Sequence, residues 1–176
     1  APPSAFPSVK ELWLYCQDSE PCPLPEGLGD MPFLRALRLT VPHGLDGESS
    51  KMLGRLSQEG ALKAETLILD GKWDSAPPDF VRGMTGVKAL DMHDAGARFA
   101  APWLSEWDNL EAARLKLKGS PQDIQPLLTH PGLKRVSLCV TSWDKAWDEL
   151  FDGDGRLTRR DDPGRSESIA DILKRA

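Results

Sequence analysis

The sequence has little of several features that would define a chemistry. It contains one Tyr and three Cys, and no apolar run approaches the roughly 18 residues of a membrane span. Neither sign of charge dominates, because 22 Lys and Arg stand against 27 Asp and Glu, for a net charge of −5. No basic stripe is available to follow a phosphate backbone. We therefore expect no membrane span and no nucleic-acid partner.

Catalytic signatures are also missing. The sequence has no P-loop and no GxSxG, HExxH or GxGxxG motif. Cys139 has no obvious His partner, so no nucleophile–base pair is indicated. We expect a non-enzymatic protein without a cofactor.

The cysteines do not form a disulfide framework, because their number is odd. Cys16 and Cys22 are near enough in sequence to be bridged in an oxidising compartment, but we expect two free thiols in a loop. The compartment stays open: the cytoplasm is slightly favoured, and a secreted effector is the alternative. The sequence begins without a signal peptide and in mid-repeat, so we expect a piece of a longer protein or a processed chain.

What the sequence does have is a repeated pattern, apolar-x-x-apolar-x-apolar. Six copies end on Leu14, Leu39, Leu69, Met92, Leu115 and Leu138. The steps between these residues are 25, 30, 23, 23 and 23. Alternate apolar positions at the end of each copy predict a short strand, and the segment before it is irregular. Steps of this size predict a repeat protein.

The upstream half of the pattern carries a family resemblance. Residues 24–39 read LPEGLGDMPFLRALRL, and Pro78, Val81, Met84 and Val87 copy the same spacing. Over residues 3–141 the chain resembles the leucine-rich repeat family, in its LPxxLxxLxxLxxLxL form. The resemblance implies an α/β solenoid with short parallel strands on the concave side and irregular or helical segments on the convex side. The six terminal apolar residues should then form one continuous row.

One departure from the family concerns the Asn that usually follows the last strand leucine by three residues. The corresponding residues here are Gln17, Pro42, Lys72, Ala95, Lys118 and Thr141. An Asn ladder is therefore excluded, and the backbone groups of the turns must find other partners.

Two parts of the chain are expected. Residues 1–141 form an array of about six coils, and residues 142–176 form a helical C-terminal cap and tail. A helix over residues 48–63, capped by Asp46 or Ser49, accounts for the 30-residue step. A second helix over residues 142–151 begins at Ser142, and a short third one covers residues 168–175. The residues assigned to the cap of the last apolar layer are Trp143, Trp147, Leu150 and Phe151.

Candidate binding residues come from the strand positions that point away from the core. They form two columns of adjacent side chains: Trp13, Arg38, Ile68, Asp91, Arg114 and Ser137, and then Tyr15, Thr40, Asp70, His93, Lys116 and Cys139. Aromatic and Arg residues usually carry most of the energy of a protein interface. The predicted binders of another protein or peptide are Trp13, Tyr15, Arg38, Asp91, His93, Arg114 and Lys116. The oligomeric state is left open.

Three alternatives fit parts of the sequence. The resemblance also fits the substrate-recognition part of a larger enzyme or pathogen effector, of the ubiquitin-ligase type, with catalysis elsewhere. Asp70, Asp91 and His93 lie in neighbouring columns and form a possible metal or acid–base site. Residues 152–161 resemble part of a calcium loop, but Leu150 stands at its first ligand position, so we expect a flexible charged loop.

Overall fold

The strands of the sheet follow one another in space in the order in which they occur along the chain. A computed structural model describes residues 8–16, 23–42, 44–70, 84–93, 104, 107–117, 120–142, 144–153 and 155–159. These residues form an α/β structure whose sheet has seven strands, all paired in parallel. The strands are β1 (Glu11–Tyr15), β2 (Ala36–Thr40), β3 (Thr66–Asp70), β4 (Ala89–His93), β5 (Ala112–Leu117), β6 (Arg135–Val140) and β7 (Leu157–Arg159).

The register of the sheet aligns the predicted apolar row. Each terminal apolar residue pairs with its successor, in the order Leu14, Leu39, Leu69, Met92, Leu115 and Leu138. The last five are at most 2% exposed, whereas Leu14 is only partly buried. The prediction of a continuous parallel row is confirmed. Burial of apolar side chains such as these favours the joining of neighbouring strands.

The backbone at the start of each strand forms a repeated joint. The carbonyl oxygen of Lys10 accepts hydrogen bonds from the amides of Arg35 and Ala36, two successive residues at the start of the next strand. The same double acceptance recurs at the four equivalent carbonyls, those of Arg35, Glu65, Lys88 and Glu111. Direct bonds between neighbouring backbones therefore satisfy these polar groups without an Asn ladder.

The side chains at these joints alternate in charge, a pattern that the sequence analysis missed. Oε1 of Glu65 lies 3.8 Å from Nη1 of Arg35 and 3.4 Å from Nζ of Lys88. Nζ of Lys134 lies 2.9 Å from Oε2 of Glu111. Each follows directly on the first apolar residue of its repeat, so the signal was available in the sequence. We call these five residues the strand-entry ladder. Exposed ion pairs of this kind stabilise a fold only slightly.

The ladder predicts a pH effect. The hydrogen bond and positive charge of Lys134 hold the pKa of the Glu111 carboxyl below its ordinary value. Such a carboxyl stabilises the fold above its unfolded pKa, and the contribution is lost as the pH falls through the folded pKa. The free energy of unfolding should therefore fall as the pH is lowered from about 6 to about 3 and Glu111 becomes protonated. We expect this fall to be smaller in Glu111→Gln, by less than about 1 kcal/mol because the pair is exposed.

Urea titrations at the two pH values measure this effect. Lys134→Met removes the donor instead of the carboxyl, so it should flatten the pH dependence in the same way. An unchanged pH dependence in both variants would contradict the assignment.

Helix α1 (Gly47–Gln58) lies between β2 and β3 and accounts for the long step. Asp46 caps it, because its carboxylate accepts a hydrogen bond from the Ser49 amide at 2.6 Å. The buried Ser49 hydroxyl in turn accepts from the Leu24 amide at 2.8 Å, which ties the helix to the segment that precedes β2. The predicted end at residue 63 is wrong. Gly60 has φ +67°, and its amide and that of Ala61 bond back into the helix and end it.

The C-terminal region differs from the prediction in two places. Helix α3 (Lys145–Gly153) begins later than expected, because Asp144 and not Ser142 caps it: its carboxylate accepts from the amides of Ala146 and Trp147. The expected charged loop also contains β7, a seventh strand paired with β6. Trp147 is 1% exposed, with Leu150 and Phe151 packed against the core. Trp143 and the helix predicted over 168–175 lie outside the described residues.

Shorter helical segments lie between β1 and β2 and between β5 and β6. They are the 3-10 turns Glu26–Asp30 and Pro121–Ile124 and the single-turn helix α2 (Gln125–Leu128). None of the helices in the described ranges combines the length and the apolar character needed to cross a bilayer.

Candidate functional site

Alternate side chains of the strands form the predicted columns. Register pairs Trp13 with Arg38, Arg38 with Ile68, and Ile68 with Asp91, and the column continues through Arg114. Tyr15, Thr40, Asp70 and His93 are paired successively in the second column. The predicted binding residues therefore lie on one face of the sheet, but they differ widely in exposure.

An aromatic surface lies at the β1 end of this face. Trp13 and Tyr15 are 61% and 55% exposed, which is unusual for side chains of this size. Their rings meet edge to face, with centroids 6.4 Å apart and planes at 80°. The guanidinium carbon of Arg38 lies 4.4 Å from the centroid of the Trp13 ring, within the range of a cation–π contact.

Hydrogen bonds to neighbouring side chains on the same face of the sheet hold this surface in place. Asp70 accepts hydrogen bonds from Nε and Nη2 of Arg38, at 3.0 and 2.6 Å, and from the Thr40 hydroxyl at 3.1 Å. The Thr40 hydroxyl also accepts from Nε1 of Trp13 at 3.2 Å. We call these five residues, Trp13, Tyr15, Arg38, Thr40 and Asp70, the aromatic cluster. Such a network holds large exposed side chains in one arrangement, which lowers the entropy lost when a partner binds.

Asp91 and Arg114 do not form part of an accessible surface. They make an ion pair, and their side chains are only 1% and 10% exposed. Their prediction as partner-binding residues relied on exposure that the structure does not give them. Lys116 is half-buried, and the side chain of His93 lies outside the described residues. Among the predicted residues whose side chains the structure describes, Trp13 and Tyr15 are exposed, and Arg38 and Lys116 are half-buried.

The two carboxylates of the alternative metal or acid–base site are already engaged by other side chains. Asp70 bonds Arg38 and Thr40, and Asp91 pairs with Arg114. Within the described ranges no three His, Cys, Asp or Glu side chains are grouped as metal ligands would be. Each of these carboxylates is thus paired with a guanidinium.

The cysteines also depart from expectation. Cys16 is disulfide-bonded, so the expectation of a free thiol there is wrong. Cys22 lies outside the described residues. Cys139 is free and half-buried on β6, beside Lys116 of β5.

A buried histidine occupies a position that the preceding copies of the pattern fill with Met31, Met84 or Trp107. His130 is 2% exposed, and its Nε2 lies 2.9 Å from the Trp107 carbonyl oxygen. Its Nδ1 accepts from the Gly132 amide at 3.1 Å, so Nε2 carries the proton and donates to Trp107. The ring thus joins the linking segments of two successive repeats and has a structural role.

Comparison of the chain with protein-family models and with curated proteins finds no match.

Proposed function

We propose that this chain is a leucine-rich-repeat solenoid that recognises another protein or peptide on the exposed face of its sheet, without catalysis of its own. The repeat pattern, the strand order and the apolar row support the solenoid. The observation that carries the recognition proposal is the aromatic cluster, in which two exposed rings and a guanidinium are held in place at one end of the face.

The chemistry of the cluster suits a peptide. Trp13 and Tyr15 offer large apolar area at low entropic cost, because each side chain has only two rotatable bonds. Arg38 is 38% exposed and donates from Nε and Nη2 to Asp70, so the N–H groups of Nη1 remain to donate to other acceptors. Backbone carbonyls or carboxylates of a bound chain are acceptors of that kind. Aromatic and Arg residues of this type are the commonest interface hot spots.

A displayed library of random peptides tests the proposal. We expect the protein to enrich a set of peptides, and Arg38→Glu to weaken their binding by about tenfold or more, equivalent to about 1.4 kcal/mol. The reason is that the substitution both removes the cation and places a like charge beside Asp70. Affinities measured by calorimetry on purified proteins give the comparison.

The matched control is Arg55→Glu, the same charge reversal at an exposed position of α1. It should bind the selected peptides as the unmodified protein does. Equal binding by the Arg38 and Arg55 variants, with both folded, would show that the aromatic cluster is not the recognition site.

A further inference from the structure

His130 is a titratable side chain in a site that is closed to solvent. It is 2% exposed and lies in the segment between β5 and β6, at the position where two earlier repeats have Met31 and Met84. Burial disfavours the charged form of an imidazole, because the charge loses its contact with water. Histidine is also the side chain whose ordinary charge change falls between about pH 5 and about pH 8.

The two hydrogen bonds of the His130 ring together define its neutral form. Nε2 donates to the Trp107 carbonyl oxygen at 2.9 Å, and Nδ1 accepts from the Gly132 amide at 3.1 Å. Pro131 lies between them and has no amide, so the Gly132 amide is the first backbone donor after the ring. A proton on Nδ1 would set two donors against each other. The bond to Trp107 survives in a protonated ring, whereas the bond from Gly132 does not.

The backbone at Gly132 is packed closely against the preceding repeat. A Cβ atom at this glycine would lie 3.2 Å from the carbonyl oxygens of Asp108 and Leu110, and 3.4 Å from Cε1 of His130. Two linking segments therefore meet here backbone to backbone, with the imidazole ring beside them. Close packing of this kind transmits a local displacement instead of absorbing it. Repulsion between the ring and the Gly132 amide would thus act on both segments.

The charged side chains of the described segments around the ring provide it with no bonded counter-ion. They are Asp108 on the earlier linking segment, Glu111 and Lys134 at the strand entries, and Arg156, which reaches the Leu128 carbonyl. Asp108 is exposed to solvent, and Glu111 and Lys134 bond each other. Nη2 of Arg156 lies 2.7 Å from a carbonyl oxygen two residues before His130, and a second positive charge in this region is disfavoured.

We propose that His130 makes the packing of the last two regular repeats sensitive to pH, because protonation of its ring breaks the hydrogen bond from Gly132 and places an unpaired charge in a buried site. The effect should extend to the C-terminal elements. α3 contacts the turn Pro121–Ile124 of the same segment, and Arg156 ties the start of β7 to the Leu128 carbonyl. β2 and β3 are separated from this joint by β4 and β5, so they should change little.

The direction of the effect follows from the closed and open states of the joint. In a locally opened chain the imidazole is exposed and takes up a proton near about pH 6.5. The closed structure binds that proton less readily, so opening is favoured as the pH falls below this value. At about pH 5.5 the exposed ring is protonated in about ten molecules for each neutral one, so the opening constant should be about tenfold higher than at about pH 7.5.

Hydrogen exchange of the folded protein at about pH 7.5 and about pH 5.5 tests the proposal, because carboxylates stay largely ionised in this range. Exchange rates are divided by the intrinsic rate at each pH to give protection factors. We expect the protection factors of the Gly132 and Leu133 amides to fall by about tenfold at the lower pH. Those of amides in β2 should stay within about twofold.

Two variants remove the titrating group. His130→Met introduces the residue that two other repeats carry at this position, and it should abolish the difference between the two pH values. His130→Asn keeps a neutral acceptor for the amide two residues on, so it should give the same result even if the Met variant fails to fold. The matched control replaces the two other histidines of the chain, His43→Gln with His93→Gln, and should keep the tenfold response.

Nitrogen NMR of the His130 ring adds a readout that needs no variant. In the folded protein at about pH 5.5 the ring should still be neutral, with its proton on Nε2. Three results overturn the proposal: equal protection factors at both pH values in the unmodified protein, a tenfold response in a folded His130 variant, or a charged ring beside a Gly132 amide of unchanged protection. The inference does not depend on the proposed function, since Arg38→Glu should abolish peptide binding and leave the pH response intact.

Discussion

Arg114→Leu should lower the free energy of unfolding by about 3 to 5 kcal/mol, a large part of the stability of a typical domain. The substitution leaves the Asp91 carboxylate in a site where its side chain is 1% exposed, without the guanidinium that it pairs with. A buried charge without its partner costs far more than the intact pair contributes. Urea unfolding followed by circular dichroism measures the change.

Two further variants distinguish the cost of an unpaired buried charge from the cost of losing side-chain volume. The double variant Asp91→Leu and Arg114→Leu removes both charges, so most of the lost stability should return, because buried ion pairs are often replaceable by apolar residues. Arg38→Leu removes a guanidinium that is 38% exposed and should cost only about 0 to 1 kcal/mol. A similar cost for Arg114→Leu and Arg38→Leu would contradict the burial of the first pair.

Trp147→Ala is expected to cost about 3 to 5 kcal/mol. Trp147 is 1% exposed on α3, and that helix contacts both β7 and the turn Pro121–Ile124. Removing the indole ring opens a cavity between the helix and the last strands of the sheet. The free energy of unfolding in urea gives the total effect.

Hydrogen exchange adds a spatial readout to this prediction. Each strand of the sheet pairs only with its neighbours in sequence, so the damage should be greatest near the helix. Amides of β6 should exchange faster in Trp147→Ala, and those of β2 should change little. Lys145→Ala, at an exposed position of the same helix, should stay within about 0.5 kcal/mol of the unmodified protein. Comparable losses in both variants would contradict a covering role for Trp147.

The periodic part of the fold was predictable, because one spacing rule acts in every repeat. The row from Leu14 to Leu138 needed only apolar residues at fixed offsets, and alternation then placed Trp13 and Arg38 in one column. β7 lacked this signal. Its segment offers only Leu157, and Arg159 occupies the position of the terminal leucine.

Burial of polar side chains was the part that spacing could not predict. Alternation states which face a residue lies on, but not whether another part of the chain shields it. Arg38 and Arg114 occupy equivalent positions in their repeats, yet one is 38% exposed and the other 10%. The helix ends were missed because they depend on local competition between neighbouring residues. Gly60 ends α1 by its left-handed backbone, and the carboxylate of Asp144, instead of the Ser142 hydroxyl, accepts from the first amides of α3.

The joint at the start of each strand has a consequence for engineering. Leu39 and Leu69 are in register although they are 30 positions apart, while the other neighbours in the row are 23 or 25 apart. The fit between two strands is thus independent of the length of the connection that tethers them, and each doubling of a flexible tether costs only about 0.6 kcal/mol. The exposed turn at residues 58–60, just after the buried part of α1, is therefore a natural place to insert a tag, a sensor or a second domain without disturbing the sheet.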